Sequence, residues 1–207
     1  MDVMDRVLRW WGPRGGIAQF HRPTGFPGRV AGWIMGRRSS NVVRNRWAVE
    51  LLEVQPGERV LELGCGPGVA VAALAAHAER VVGVDHSAVV IRQAQRRNRA
   101  AIRAGRVRLV CASVENLLLS DGPFDAALAV NTLGMWPDPV ARLRELARLL
   151  RPGGRVALVS QPRMPGVAST AVVEELTGVL TEAGFAQLRI EILDLEPPVV
   201  CVLGSTA

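Results

Sequence analysis

The clearest structural signal in the chain is the stretch Val60-Leu61-Glu62-Leu63-Gly64-Cys65-Gly66-Pro67-Gly68, in which a buried strand runs directly into glycines. An apolar, Ala-rich helix follows it. Glycine lets the backbone turn tightly and lets a ligand approach without a Cβ in the way. The start of a helix presents backbone N–H groups and a partial positive charge, which suit a carboxylate. The stretch therefore predicts a ligand-binding turn between a strand and a helix.

The glycine spacing and Glu62 argue against a dinucleotide as the ligand. The dinucleotide pattern G-x-G-x-x-G would place its third glycine at position 69, where this chain has Val69. Here the third glycine is Gly68, and Pro67 precedes it at a position where an early helix tolerates proline. Glu62 would repel a pyrophosphate, because both groups are negative, but it suits a ligand with an ammonium or sulfonium group.

A second signal lies in Val81-Val82-Gly83-Val84-Asp85-His86-Ser87, where an acidic residue ends the next apolar strand. Asp85 follows Gly64 by 21 residues. A carboxylate at this position can accept hydrogen bonds from two ribose hydroxyls. The two signals together are far more specific than either alone.

Strands and helices alternate after the Pro56-Gly57 turn, which predicts an α/β fold with a mostly parallel sheet. The last two strands are joined by Glu196-Pro197-Pro198, which is too short for a crossover helix, so one of them must be antiparallel. Val199–Leu203 either closes the sheet or pairs across a dimer. The expected strands are Arg59–Leu63, Val81–Asp85, Val107–Cys111, Phe124–Val130, Arg155–Ser160, Leu188–Leu193 and Val199–Leu203, and the expected helices are Val69–Ala78, Ala88–Ala104, Pro139–Leu150 and Thr170–Ala183.

Positive charge is concentrated near the start of the sequence. Residues 1–50 hold nine Arg and three acidic residues, which accounts for the whole net charge of +6. Residues 1–28 are rich in Gly, Pro and Arg and are typical of an arm, and a helical pattern runs from Val30 to Val54. We therefore expect residues 1–53 to form an arm and a helical lid beside a domain of residues 54–207.

The composition is that of an ordinary globular protein, with 49% hydrophobic and 21% charged residues. No apolar run approaches the roughly 20 residues that span a bilayer, and Met1 to Gly16 has no apolar signal core. We therefore expect a cytoplasmic protein. The cysteines Cys65, Cys111 and Cys201 follow neither a disulfide nor a zinc pattern, so no metal site is expected.

From Val54 to about Gly184 the chain resembles the class I methyltransferases that use S-adenosylmethionine (SAM), and within them the branch of ubiquinone and menaquinone methyltransferases. The resemblance implies a Rossmann-like α/β fold with a seven-stranded, mostly parallel sheet, helices on both faces and an N-terminal helical lid. It also implies SAM as the cofactor and residues 54–207 as the SAM-binding domain. It rests on five motifs in the expected order, which are Leu61–Gly68, Val84–Ser87, Val114–Leu117, Phe124–Trp136 and Leu150–Gly154.

The resemblance further implies roles for single residues. The methionine part of SAM would lie against Glu62 and against the turn formed by Gly64, Cys65, Gly66 and Gly68. Asp85 would hold the ribose, and His86 would flank the adenine. Ser113 and Val114 would line the adenine edge, and Asn131 would border the methyl-transfer site. Relatives usually carry Asp where Ser113 stands, and a neutral Ser holds the adenine amino group more weakly.

The acceptor side carries weaker signals. Met135 and Trp136 follow Asn131, where an acceptor can pack. Trp33 and Trp47 lie in the segment Arg29–Trp47, which in similar methyltransferases forms a lid. His21, in the Gly/Pro-rich arm, is the candidate base that could fold over the site. We expect in-line methyl transfer to a small or lipid-like acceptor, which mainly requires alignment and exclusion of water.

Three known chemistries do not match the sequence. Thr132-Leu133-Gly134 follows Asn131 where DNA amino methylation uses a Pro-Pro-aromatic sequence. No cysteine is placed for C5 methylation of RNA. Asp138 alone does not supply the carboxylate cluster of a metal-assisted catechol mechanism.

Two alternatives to this function stay open. Arg92, Arg96, Arg99 and Arg103 repeat along one helix, and together with the N-terminal Arg residues they could bind a membrane or an anionic polymer such as RNA. A solvated helix face explains the same repeat, so nucleic acid is the less favoured partner, while peripheral membrane contact stays open. The second alternative is a non-catalytic SAM-binding protein. The sequence does not define an oligomeric state.

Overall fold

The structure is a computed structural model, and it describes Val30, Trp33 and residues 39–117, 121–162 and 169–207. Its strands are β1 (Arg59–Leu63), β2 (Arg80–Asp85), β3 (Val107–Cys111), β4 (Phe124–Val130), β5 (Leu150–Ser160), β6 (Ala186–Leu193) and β7 (Val199–Ser205). Its helices are α1 (Ser39–Leu51), α2 (Val69–Leu74), α3 (Ala88–Arg97), α4 (Arg99–Arg103), α5 (Pro139–Leu149) and α6 (Ser169–Glu182). Short 3₁₀ helices span Val114–Asn116 and Leu133–Met135.

The seven strands form one sheet in the order β3-β2-β1-β4-β5-β7-β6. The first five strands in this order, β3, β2, β1, β4 and β5, run parallel to their neighbours. Strand β7 runs antiparallel to both β5 and β6. The expected fold class is therefore confirmed, including the antiparallel strand near the end of the chain. Because β7 is inserted between β5 and β6, it closes the sheet and presents no free edge for pairing across a dimer.

Apolar layers cover both faces of the sheet, as short runs of Val, Leu and Ala in β1, β2 and β4 require. One layer joins the sheet to α5 and α6 and includes Phe124, Leu143 and Leu176. The other joins it to α1, α2 and α3 and includes Leu52 and Leu74. All parallel strands therefore end at one shared edge, between two layers of helices.

Two predicted helices end earlier than their apolar pattern indicated. The expected helix 88–104 is broken at Asn98, whose backbone lies outside the helical region at φ −98° and ψ 16°. The expected helix 69–78 ends at Leu74 and continues as turns. In the other direction, β5 begins at Leu150 rather than Arg155, because the chain already pairs there with Phe124.

The described part of the basic N-terminal segment packs against the domain. Helix α1 buries Arg44 and Asn45 along with Ala48 and Val49, so its inward face is partly polar. This arrangement does not match a helix that lies on a membrane through an apolar face. Within the described residues, no helix has both the length and the apolar character needed to cross a bilayer.

Candidate functional site

The glycine-rich turn joins the ends of three strands at the carboxyl edge of the sheet. The backbone N–H groups of Gly64 and Cys65 donate to the Val84 carbonyl of β2 at 2.8 and 3.0 Å. Gly64 has φ +70°, and a Cβ there would lie 2.3 Å from Oγ1 of Thr132, which follows β4. A side chain at this position would therefore force the turn away from β4, which explains the glycine.

Asp85 lies directly beside this turn at the end of β2. Its Oδ2 accepts a hydrogen bond of 3.0 Å from the Gly66 N–H, and its Oδ1 accepts one of 2.8 Å from the Ser87 N–H. The residue is only 9% exposed. The next residue, His86, is exposed, and its Nδ1 lies 3.6 Å from Asp85 Oδ1. Both carboxylate oxygens are thus fixed by the backbone, while each retains lone pairs for a ligand.

Glu62 brings a second carboxyl group to the same place. It is 2% exposed, and its Oε2 has no hydrogen-bond partner among the described residues. Burial, followed by the nearby charge of Asp85, raises the pKa of Glu62 to about 8, although the Val71 N–H acts in the opposite direction. Because buried polar atoms are normally paired, this oxygen is a ready acceptor for a cationic donor group.

The cysteine of the turn has no exposed thiol. Cys65 is 5% exposed and packs in the layer with α2. Burial raises the pKa of its thiol well above the usual value, and the charges of Glu62 and Asp85 act in the same direction. Cys65 therefore contributes to the turn through its backbone and not as a nucleophile.

Asn131 follows β4 in a left-handed conformation, with φ +54°. Its N–H donates to the Val159 carbonyl at 2.7 Å, and its Oδ1 accepts a 2.7 Å hydrogen bond from the Gln161 N–H. Gln161 accepts from the Arg44 guanidinium through Oε1 and donates to the Pro197 carbonyl through Nε2 at 2.7 Å. Asn131 is thereby linked through Gln161 to helix α1.

Gln161 and Arg44 were missed in the sequence. The signal for Gln161 was available, because it follows β5 at the same edge at which Asn131 follows β4. No sequence signal pointed to Arg44, since it appeared only as one of several Arg residues in a basic helix. Its burial and its bonds to Gln161 and Asn41 depend on how α1 packs.

The predicted adenine-edge residues are held locally. The Ser113 hydroxyl accepts a 3.3 Å hydrogen bond from the Glu115 N–H and donates to Glu115 Oε2 at 3.2 Å. It thus caps the short helix Val114–Asn116. Val114 is partly buried against the apolar layer with α5. Both residues lie just beyond β3, the strand that pairs with β2 and ends opposite Asp85.

The acceptor-side residues are placed very differently from one another. Trp136 is 7% exposed, packs in the core and donates its Nε1–H to Thr132 Oγ1 at 3.2 Å, and its contact with a substrate stays a prediction. Met135 is 36% exposed, Trp47 is partly buried against the core, and Trp33 is helical and 55% exposed. His21 lies outside the described residues.

Comparisons with known proteins agree with this fold and site. The methyltransferase domain family matches residues 61–158. The chain is 28% identical over 182 residues to the uncharacterized methyltransferase YdaC of Bacillus subtilis, covering 85% of this chain and 97% of YdaC. It is 37% identical over 131 residues to a demethylmenaquinone methyltransferase of Corynebacterium kroppenstedtii, covering 62% of this chain and 53% of that protein.

A solved structure shows the same fold. The SAM-dependent methyltransferase from Aquifex aeolicus superposes with a TM-score of 0.70 at 17% identity, over 86% of this chain and 98% of that one. The chain belongs to the class I SAM-dependent methyltransferase family, and SAM is its cofactor. It spans nearly all of YdaC but about half of the corynebacterial protein, so the family is shared while the acceptor is not defined by these similarities.

Proposed function

We propose that the protein transfers a methyl group from SAM to a small or lipid-like acceptor at the carboxyl edge of the sheet. The observation that carries this proposal is the buried Glu62 oxygen without a described partner, beside Asp85 and the glycine turn. SAM carries an ammonium group, which can donate to an otherwise unsatisfied carboxylate.

The residues at this edge fit the parts of SAM. Glu62 and the turn of Gly64, Cys65, Gly66 and Gly68 would hold the methionine part. Asp85, fixed by the backbone of the turn, would accept from the ribose hydroxyls. His86, Ser113 and Val114 would surround the adenine. When bound, SAM supplies a methyl group on a positively charged sulfur.

The acceptor would lie between the side of the fold that holds α1 and Trp33 and the residues that follow β4. In this proposal the exposed side chain of Met135 and the carboxamide of Asn131 contact the acceptor from one side. Trp33 and Trp47 lie on the opposite, lid side. Asn131 would position the acceptor through its Nδ2 group, because its Oδ1 is engaged by Gln161. Alignment and exclusion of water are then the main contributions of the protein. His21 remains the proposed base if the acceptor must lose a proton.

The similarity to menaquinone and ubiquinone methyltransferases supports a hydrophobic, oxygen-bearing acceptor. The Nδ2 group of Asn131, whose Oδ1 is engaged by Gln161, can donate to an oxygen on such an acceptor. Quinols, phenols and lipids are therefore the acceptors to screen.

Calorimetric titration of SAM and S-adenosylhomocysteine tests the proposal directly. We expect micromolar binding by the wild type and loss of about 100-fold or more in affinity for Asp85→Ala, which removes a charged hydrogen-bond acceptor and releases the Gly66 N–H. Asp125→Ala is a matched control. Asp125 also accepts a hydrogen bond from a backbone N–H, that of Arg59, but it lies at the amino-terminal end of β4, away from the carboxyl edge of the sheet. Equal SAM affinity for Asp85→Ala and the wild type would refute the site.

A second candidate function is action on an anionic surface. Arg92, Arg96, Arg99 and Arg103 are all exposed along α3 and α4, which supports either a solvated face or an anionic partner. Co-sedimentation with vesicles containing phosphatidylserine, and binding to RNA, should be strongest at low salt if this face binds such a partner. Absence of both at low salt would remove this candidate.

A further inference from the structure

Helices α3 and α4 meet at a buried asparagine that contacts the glycine turn. Asn98 is 3% exposed, and its Nδ2 donates to the Gly68 carbonyl at 3.1 Å and to the Ala94 carbonyl at 3.0 Å. Its own N–H donates to the Ala94 carbonyl at 2.9 Å, and its carbonyl accepts from the Ile102 N–H at 2.9 Å. Asn98 therefore ends one helix, begins the next and still bonds to the turn 30 residues earlier in the chain.

The preceding residue makes a parallel contact. Arg97 donates through Nε to the Pro67 carbonyl at 3.1 Å. Two consecutive side chains thus hold two consecutive carbonyls of the turn. Fixing these carbonyls fixes the orientation of the peptide units that link Pro67, Gly68 and Val69, because each peptide unit is planar.

The close approach of α3 also explains the third glycine. Gly68 has φ +73°, and a Cβ there would lie 2.6 Å from Asn98 Nδ2 and 2.9 Å from the Ala94 Cβ. The same spacing that allows the Asn98 hydrogen bond leaves no room for a side chain at position 68. Gly68 and Asn98 therefore form one packing unit.

We propose that Asn98 is a positioning residue for the SAM-binding turn, with Arg97 in a supporting role. The turn contains three glycines in left-handed conformations, and glycine loses more backbone freedom on ordering than any other residue. The hydrogen bonds from Asn98 and Arg97 restrict the backbone of the turn before the ligand binds. Less conformational entropy is then lost on binding, so the ligand binds more tightly. This inference rests on the proposed binding of SAM at the turn.

Three variants test it by calorimetric titration of SAM at a temperature where circular dichroism shows every variant folded. Asn98→Ala removes the amide, and we expect its Kd for SAM to rise about fivefold or more, the effect of one lost hydrogen bond. Arg97→Ala should raise the Kd about two- to fivefold. Arg106→Ala is its matched control, because Arg106 also donates to a backbone carbonyl of this segment, that of Ala75 just beyond α2, at 2.6 Å. We expect that control to keep the wild-type Kd.

Hydrogen exchange distinguishes a local loosening of the turn from a general loss of stability, because it is measured separately at the turn and at β2. In the positioning role, amides of residues 64–69 should exchange faster in Asn98→Ala and Arg97→Ala, whereas amides of β2 should not. If Asn98→Ala does not fold, the comparison of Arg97→Ala with Arg106→Ala decides. The positioning role would be overturned if Arg97→Ala and a folded but less stable Asn98→Ala both kept the wild-type Kd for SAM and the wild-type hydrogen-exchange rates at the turn. Absence of SAM binding by the wild type would instead refute the proposed function.

Discussion

The raised pKa of Glu62 predicts an unusual pH dependence, which the substitution Glu62→Gln should remove. In the unfolded chain this carboxyl titrates near 4.5, and in the folded protein near 8. Between these values the folded state holds a proton that the unfolded state has lost. Stability of the ligand-free protein should therefore fall as the pH rises from 4.5 to 8, and Glu62 should add no further dependence outside that window.

The size of the effect follows from the same two values. One pKa unit corresponds to about 1.4 kcal/mol, so the full interval amounts to about 5 kcal/mol. Glu62→Gln keeps the size and polarity of the side chain but cannot ionise. At pH 8 the variant should be more stable than the ligand-free wild type, and near pH 4.5 the two should be similar.

Binding of SAM should couple to the same proton. An ammonium group beside Glu62 favours the carboxylate and lowers its pKa. At pH 7 SAM binding should therefore release close to one proton, whereas Glu62→Gln should release none from this position and should bind SAM more weakly. Calorimetric titrations in buffers with different ionisation enthalpies measure the number of protons released.

Glu58→Gln is the matched control, because the pKa of Glu58 shifts the other way. Burial alone would raise that pKa, but hydrogen bonds from Arg155 and Gln55 outweigh it and lower the pKa. The stability that Glu58 contributes is present above its unfolded pKa and is lost as the pH falls through its folded pKa. Between pH 4.5 and 8, urea unfolding should show that Glu62→Gln removes the fall in stability of the ligand-free wild type, whereas Glu58→Gln keeps it, because the pH dependence due to Glu58 lies below 4.5. Identical pH profiles for the wild type and Glu62→Gln, with no proton release on binding, would contradict this account of Glu62.

Three further predictions concern packing and the turn. Gly68→Ala should lower the free energy of unfolding by about 2 kcal/mol or more, since it places an alanine in a left-handed conformation and makes its Cβ clash with Asn98. Gly66→Ala, with φ +51° and open space around its Cβ, should lower it by only about 1 kcal/mol. Equal losses in urea unfolding would argue against the close approach of α3. Arg155→Ala leaves the buried Glu58 without its bonds of 2.9 and 2.6 Å and should lose about 2 kcal/mol without changing SAM affinity. Phe124→Ala empties a core position that is 1% exposed and should lose about 3 to 5 kcal/mol by the same measurement; a loss below 1 kcal/mol would show that this core is not tightly packed.

Local patterns predicted the strands of this fold well, because buried parallel strands appear as short apolar runs between turns. They predicted helix boundaries less well. Asn98 breaks a continuous helical pattern because its side chain bonds to Gly68, a contact that no local window contains. The position of β7 between β5 and β6 likewise depends on pairing between distant segments.

The candidate site shows the same division. The glycine turn and Asp85 were predictable, because their residue types and spacing reflect the backbone that they form. The burial of Trp136 was not predictable, since its place in the apolar core depends on contacts between distant segments. Gln161 and Arg44 join the site only through contacts between α1 and the ends of β4 and β5.

The insertion of β7 has a consequence for the order in which the chain can fold during synthesis. Strands β1 to β5 can assemble as they are made, because each finds its neighbour among strands already present. Strand β6 cannot join them, because only β7 pairs with both β5 and β6. Until residues 199–205 leave the ribosome, the outer edge of β5 has no partner strand. An unpaired strand edge is prone to aggregation, because it can pair with another chain. Strand β7 is thus the strand whose addition covers the outer edge of β5.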